Sequence, residues 1–206
     1  MLRAERLAAQ RGGVTLFADV EFALDAGEAL LVTGANGTGK TTLLRMIAGL
    51  TQPHAGQLSW RGRTVDAFDP ALRAATLYIG HAAALKDEFT AEENLLSLAA
   101  LHGTRPDSET VHAVRSALDE WSLGRYDGIP ARVLSQGQRR RVALARISLA
   151  RRRLWILDEP ATALDTSGVA TLEKRIDAHL AGQGVAVIAT HQPLMLAAGA
   201  IRRLEL

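Results

Sequence analysis

The chain has 206 residues, 48% hydrophobic and 22% charged, with a formal net charge of +2 at pH 7; this suits one soluble domain, or one domain with an inserted subdomain. So small a basic excess gives no support to a polymer-binding surface, and the absence of cysteine excludes disulfides, thiolate metal sites and cysteine nucleophiles. No apolar run approaches the roughly eighteen residues of a membrane span, and the opening MLRAERLAAQRGG carries no signal-peptide core, so a cytosolic chain that meets a membrane only through a partner is expected.

Short apolar runs alternate with helical patterns, which predicts an α/β domain with a largely parallel sheet. In chain order, edge strands are expected near 14–24, a strand at 29–34 (ALLVTG), another edge piece near 56–61 and a strand at 75–80 (ATLYIG). Two more follow at 154–158 (LWILD) and 184–190 (GVAVIAT). LWILD and VAVIA are almost continuously apolar, as strands covered on both faces are. The stretch from about 87 to 130 reads differently. TAEENLLSLAALHG opens with Thr90 and Glu93 as a capping box, carries Leu95, Leu98 and Leu101 at helical spacing and stops at Gly103. SETVHAVRSALDEW is a second amphipathic helix, and no strand signal lies between them. A helical subdomain inserted into a single domain spanning 1–206 is expected; two ordinary crossover helices are the alternative.

The chain writes its 24 basic residues as arginine except at Lys40, Lys86 and Lys174. Lys40 falls in GANGTGKTT, a G-x-x-x-x-G-K-T pattern from Gly34 to Thr41 between a predicted strand and a predicted helix. Gly34, Gly37 and Gly39 let backbone amides turn inward, so that Gly34, Ala35, Asn36, Gly37, Thr38 and Gly39 can cradle phosphate oxygens at a helix start. Lys40 supplies a compact mobile charge for β- and γ-phosphates; Thr41 offers a hydroxyl to Mg²⁺, and Thr42 is placed to reach a phosphate. A nucleoside triphosphate is the expected ligand.

The segment LSQGQRRR, residues 134–141, is the next motif along the chain. It can be read as a nucleic-acid patch or as a helix start. Ser135 and Gln138 form an S-x-x-Q capping box, and the helix is expected to run through QRRRVALARISLARR with Val142, Leu144, Ala145 and Leu149 buried. Arg139, Arg140, Arg141 and Arg146 cannot share one exposed face, because consecutive helical residues stand about 100° apart. The helix start is itself an anion site, with Gly137 permitting close approach and Ser135 offering a hydroxyl. A nucleotide in the first site already has its phosphates satisfied, so the second start makes sense closing over the γ-phosphate held by another copy, in a two-fold dimer.

Further on, LWILDEP delivers Asp158 and Glu159 to the carboxyl end of a buried strand, where open α/β sheets bind ligands. Asp158 fits a ligand to Mg²⁺ alongside Thr41, and Glu159 fits the orientation and deprotonation of an attacking water. GVAVIAT brings Thr190 and His191 to the same edge, where His191 can donate to a γ-phosphate oxygen or hold the geometry of Glu159 and the water.

The ordered set GANGTGKTT, LSQGQ, LWILDE, TALD (162–165) and TH (190–191) resembles the ABC-type ATPase family across the whole chain. The resemblance implies a phosphate-loop fold with a mostly parallel sheet, an antiparallel edge subdomain and an inserted helical subdomain. It also implies ATP and Mg²⁺ as ligands, with two ATPs sandwiched in a head-to-tail dimer between each phosphate loop and the partner's Ser135, Gln136, Gly137 and Gln138. Asp165 would communicate between the sites, and the helical subdomain would engage integral membrane subunits rather than nucleic acid. There are three departures. Gln136 stands where the family has glycine. His81 stands where the family places a glutamine that senses Mg²⁺ and the water, which makes its protonation state a variable. The adenine-stacking aromatic is replaced by QRGG, so Arg11, or Phe17, is the candidate for the base.

Within that family, YIGHAAALKDEFTAEENL, the arginine tract before LWILDEPATALD and the short tail are similar to the ATPase subunits of bacterial cytochrome c maturation complexes, known as haem exporters. That implies a peripheral place on the cytoplasmic face of the inner membrane, with hydrolysis powering haem handling or release of a haem-loaded chaperone. With 15 residues after His191, no accessory regulatory domain is expected. Another small exporter's ATPase, a soluble ABC ATPase and a phosphate-loop kinase remain as alternatives; the last would lack the LSQGQ helix start.

Overall fold

The computed structural model describes residues 1–101 and 103–206; His102, in the tail of the first predicted mid-chain helix, lies outside the described residues. In chain order the elements are β1 (Leu2–Arg11), β2 (Val14–Leu24), β3 (Glu28–Thr33), α1 (Lys40–Ile47), β4 (Ala55–Trp60), β5 (Arg63–Val65), α2 (Pro70–Ala75) and β6 (Thr76–Ile79). Then come α3 (Ala91–Leu101), α4 (Ser108–Glu120), α5 (Gln136–Leu149), β7 (Leu154–Asp158), α6 (Thr166–Ala181), β8 (Val185–Ala189) and β9 (Ala200–Glu205), with short 3₁₀ turns at Gly124–Tyr126 and Ala131–Val133. They form two compact units. One comprises Met1–Gly80, Arg152–Glu159 and Ile176–Leu206; the other comprises His81–Arg151 and Pro160–Arg175.

The first unit carries both sheets: a parallel one in the order β6-β7-β8-β3-β9 and an antiparallel one in the order β2-β1-β4-β5. Every residue of β7 and β8 is buried, as their unbroken apolar runs require. Two long strands escape the sequence pattern. β1 alternates buried and exposed residues but is interrupted by charges and small residues, and β9 (AIRRLE) has no buried residue. Each becomes a strand by pairing, β1 with β2 and β4, β9 with β3. α1 packs on β7 and β8 through Leu43, Leu44 and Ile47, all fully buried, each stabilising the unit by about 1.5–3 kcal/mol.

In the second unit, α3 has the expected reciprocal cap: the Glu93 amide donates to Thr90 Oγ1 at 3.1 Å and the Thr90 amide to Glu93 Oε2 at 2.8 Å. Asp107 caps α4 through the Thr110 amide. α5 differs from the pattern in two ways. It stops at Leu149, with Ala150 extended at ψ 125°, because the following arginines lead into strand β7. Its buried side is also wider than a stripe: Ala143 and Ile147 join Val142, Leu144 and Ala145 in the interior, whereas Leu149 is only half-buried.

Candidate nucleotide site and signature helix

The first unit holds the phosphate loop. It leaves β3 at Gly34 and enters α1 at Lys40 with Gly39 as N-cap, and among the described residues no side chain caps this helix. The first-turn amides, which have no partner inside a helix, are thereby left for a ligand. Only glycine suits the cap position, since its φ is 103° and an added Cβ would lie 2.9 Å from the Phe17 ring. Phe17 is itself buried, packed behind the loop, which corrects the expectation that it could serve adenine. Arg11 is exposed at the end of β1, opposite Val14 across the hairpin.

Around the loop, Ala35, Asn36 and Gly37 form an exposed crown, and Thr38 Oγ1 donates to the Ala35 carbonyl at 3.1 Å. Lys40 is buried and folds its ammonium back onto the loop, donating to the carbonyls of Gly34 at 2.7 Å and Ala35 at 2.8 Å. Thr42, half-buried, follows in the same turn. Thr41 Oγ1 donates to Asp158 Oδ2 at 2.8 Å, joining residues 117 positions apart. Asp158 is only 2% exposed, and a carboxylate so buried needs hydrogen bonds or a cation to offset its lost hydration.

At the end of β7 the chain turns sharply. Glu159 adopts φ 49°, a left-handed conformation that costs a non-glycine residue on the order of 1 kcal/mol. Its amide donates to the Ala189 carbonyl at 2.9 Å, which fixes the turn against the end of β8. The His191 amide donates to Glu159 Oε2 at 3.2 Å and its Nε2 lies 3.2 Å from Oε1. Thr41 with Asp158 and Glu159 with His191 are therefore brought together as pairs.

The second unit holds the signature. Ser135 Oγ accepts from the Gln138 amide at 3.2 Å, while Gln138 Oε1 accepts from the Ser135 amide at 2.7 Å, completing the capping box. Gly137 has a different reason to be glycine from the one its motif suggests: a Cβ there would stand 2.6 Å from the Ala163 carbonyl. The close approach is to the chain's own backbone, at a residue whose φ is 64°. Gln136 is exposed.

The three arginines that follow point to three segments, as a 100° spacing demands. Arg139 donates to the Ala131 carbonyl at 2.8 Å and to Asp87 Oδ1 at 2.7 Å. Arg140, buried, reaches the carbonyls of Pro160 and His81. Arg141 holds the Trp121 carbonyl at 3.1 Å, Ser167 Oγ at 3.0 Å and the Asp165 carboxylate. The Gly168 amide beside Asp165, with the Ser167 hydroxyl and then the Arg141 guanidinium, holds that carboxyl below the usual carboxylate range. The side chain of His81 is exposed. The arginine tract is thus internal wiring, a role that sequence reasoning missed for Arg140, Arg141 and Ser167. The one available signal was that three consecutive arginines cannot all face solvent on a helix that buries most of its surface.

Comparison with known proteins shows the family. Residues 17–162 match the ABC transporter family. The cytochrome c biogenesis ATP-binding export protein CcmA of Pseudomonas putida is 47% identical over 205 residues, covering 100% of this chain and 96% of the relative. That of Escherichia coli K12 is 43% identical over 206 residues, covering 100% and 96%. A solved ATP-binding subunit of an ABC transporter matches with a TM-score of 0.79 and 28% identity, over 92% of this chain and 79% of that one. The chain belongs to the ATP-binding subunits of the ABC transporter family and, within it, to the cytochrome c biogenesis ATP-binding export proteins.

Proposed function

We propose that this ABC-type ATPase works as a head-to-tail pair on the cytoplasmic face of the bacterial inner membrane, coupled to integral membrane subunits that handle haem for cytochrome c maturation. The observation that carries the chemistry is the meeting of Thr41 and Asp158 beside an uncapped helix start, with Glu159 next along the chain against His191. The amides of 34–39 and the first turn of α1 receive the phosphates. Lys40 exchanges the carbonyls of Gly34 and Ala35 for β- and γ-phosphate oxygens. The Thr41 hydroxyl and Asp158 carboxylate are hard oxygen donors, already side by side, that fit Mg²⁺. When bound, that ion draws negative charge from the phosphoryl oxygens.

Glu159 accepts the proton of the attacking water, and His191 keeps its carboxylate aimed and donates toward the γ-phosphate. Across the pair, Ser135 keeps its hydroxyl proton free while its oxygen caps α5, so it can donate to the partner's γ-phosphate together with the amides of Gln136 and Gly137. Asp165 relays between the two centres, His81 takes the place of the family glutamine beside the water and the metal, and Arg11 meets the base.

Among the described residues no helix is long and apolar enough to cross a membrane. The membrane association is therefore tested by fractionation with and without the co-expressed integral subunits. The chain is expected to sediment with membranes only when those subunits are present. An active chain that stays in the supernatant in both cases would instead favour a soluble ABC ATPase.

A further inference from the structure

The chain leaves the first unit at two points, after Gly80 and after Glu159, so that His81 and Pro160 are the first residues on the far side of each crossing. Both crossings follow parallel strands, β6 and β7, whose carboxyl ends lead to His81 and Glu159. One side chain holds the far side of both. Arg140 donates from Nε to the Pro160 carbonyl at 3.2 Å and from Nη1 to the His81 carbonyl at 3.3 Å.

Arg140 is only 5% exposed, and a guanidinium keeps its charge at any working pH. Burying that charge is costly unless its donors are met, so it settles where carbonyls converge. Its Nε and Nη1 donors sit on separate atoms of one rigid plane, so each carbonyl is met from its own nitrogen, a fixed geometry that the single nitrogen of an ammonium or an amide does not reproduce. The segments it joins are otherwise remote in sequence, 59 and 20 residues away.

The position on α5 gives the contact its direction. Arg140 lies two residues beyond Gln138, in the first turns of the helix whose start carries Ser135. Pro160 directly follows Glu159, whose left-handed backbone is fixed on its amide side by Ala189. The Pro160 carbonyl is the next acceptor along that turn, and the proline ring removes the freedom of φ between the two. A shift of the α5 start therefore pulls on the peptide next to Glu159 and on the backbone of His81 together.

We propose that Arg140 is a positioning residue for ATP hydrolysis, a fork that ties the signature helix to the backbone beside Glu159 and at His81, so that engagement of Ser135 sets the aim of the water-activating carboxylate. It rests on the paired reading given above. It predicts a loss in turnover with nucleotide binding intact, because the two carbonyls it holds, of Pro160 and His81, lie outside the phosphate loop.

The test uses the full chain with Arg140→Gln and Arg140→Lys. Turnover is expressed per nucleotide site titrated with a fluorescent ADP analogue, which removes any unfolded fraction from the comparison. Arg140→Gln is expected to lower kcat per site by about tenfold or more, since a misplacement near 1 Å costs up to about a hundredfold. KM and analogue affinity should stay within about twofold, and Arg140→Lys, which keeps the charge but loses the rigid fork, should fall between. Should Arg140→Gln fail to fold, Arg140→Lys carries the same readouts. Turnover per site equal to wild type in the folded variants, or a fall in affinity parallel to kcat, overturns the inference alone if Glu159→Gln dimerises with ATP. A Glu159→Gln chain that stays monomeric with saturating ATP overturns the paired reading and this inference with it.

Discussion

The helix starts at Lys40 and at Ser135 face the same physical problem and solve it in opposite ways. Each has unpaired amides in its first turn and a partial positive charge at its end. α1 is left open: its cap is a glycine and no described side chain closes it, so the loop is finished only by an anion. α5 is closed on itself, with Ser135 and Gln138 satisfying each other's backbone. An open start suits a site that holds its ligand through a cycle. A closed start stays formed without one, and under the proposed pairing it would offer a hydroxyl proton and the amides of Gln136 and Gly137 to a neighbour that comes and goes. On the proposed pairing, the chain would own one phosphate cradle and one preassembled lid for another copy.

The largest expected effect lies at the open start. Lys40→Ala should reduce ATP turnover on the order of 100- to 1,000-fold and weaken binding, measured by steady-state hydrolysis and nucleotide titration. Glu159→Gln should remove turnover by a comparable 100- to 10,000-fold while leaving ATP affinity intact, and size-exclusion with ATP should show a trapped dimer. A monomeric, fully active Glu159→Gln protein would break the assignment. At the closed start, Ser135→Arg should abolish hydrolysis yet spare binding, because it blocks only the partner's site. Mixed with Lys40→Ala it should recover at most one competent centre per dimer; full wild-type turnover in the mixture would show that the two starts do not share a site.

Smaller effects separate what holds each region together. In the phosphate-loop unit, His179 stacks on Trp155 at 3.8 Å, and burial lowers its pKa from 6.5 to about 4. The unfolded chain takes up that proton first, so stability is full above about pH 6.5 and falls as the pH drops toward 4, by on the order of 3 kcal/mol. In the signature unit, the depressed pKa of Asp165 has the same sign, but its loss comes only as pH falls below the ordinary carboxylate range. Fluorescence of Trp155 should report loosening in mild acid, and His179→Phe should flatten that response. Gly137→Ala should cost about 1–3 kcal/mol, seen as a melting temperature lower by a few degrees, through its clash with the Ala163 carbonyl. An unchanged melting temperature would return Gly137 to the role its motif suggests, close approach to a phosphate alone.

Legibility followed distance along the chain. The Thr90–Glu93 and Ser135–Gln138 boxes are four-residue patterns, and both form as read. The buried strands β7 and β8 announce themselves by composition. β9 does not, because an edge strand without buried residues has no apolar signature and exists through its pairing with β3. Phe17 illustrates a related failure: an aromatic near a phosphate loop reads as a base-stacking candidate, yet its ring is spent on packing behind Gly39.

The sequence by itself determined the chemistry available: a glycine loop with one lysine, a threonine for a metal, two adjacent carboxylates after a buried strand, and a self-capping helix start. Each is set by spacing over a few residues, where backbone geometry leaves little choice. Only the tertiary structure decided which arginine is buried, why Gly137 has no side chain, and that His81 and Pro160 share one guanidinium. Those facts depend on which remote carbonyls converge once the interior is packed, and a buried charge can be placed only where that convergence satisfies it.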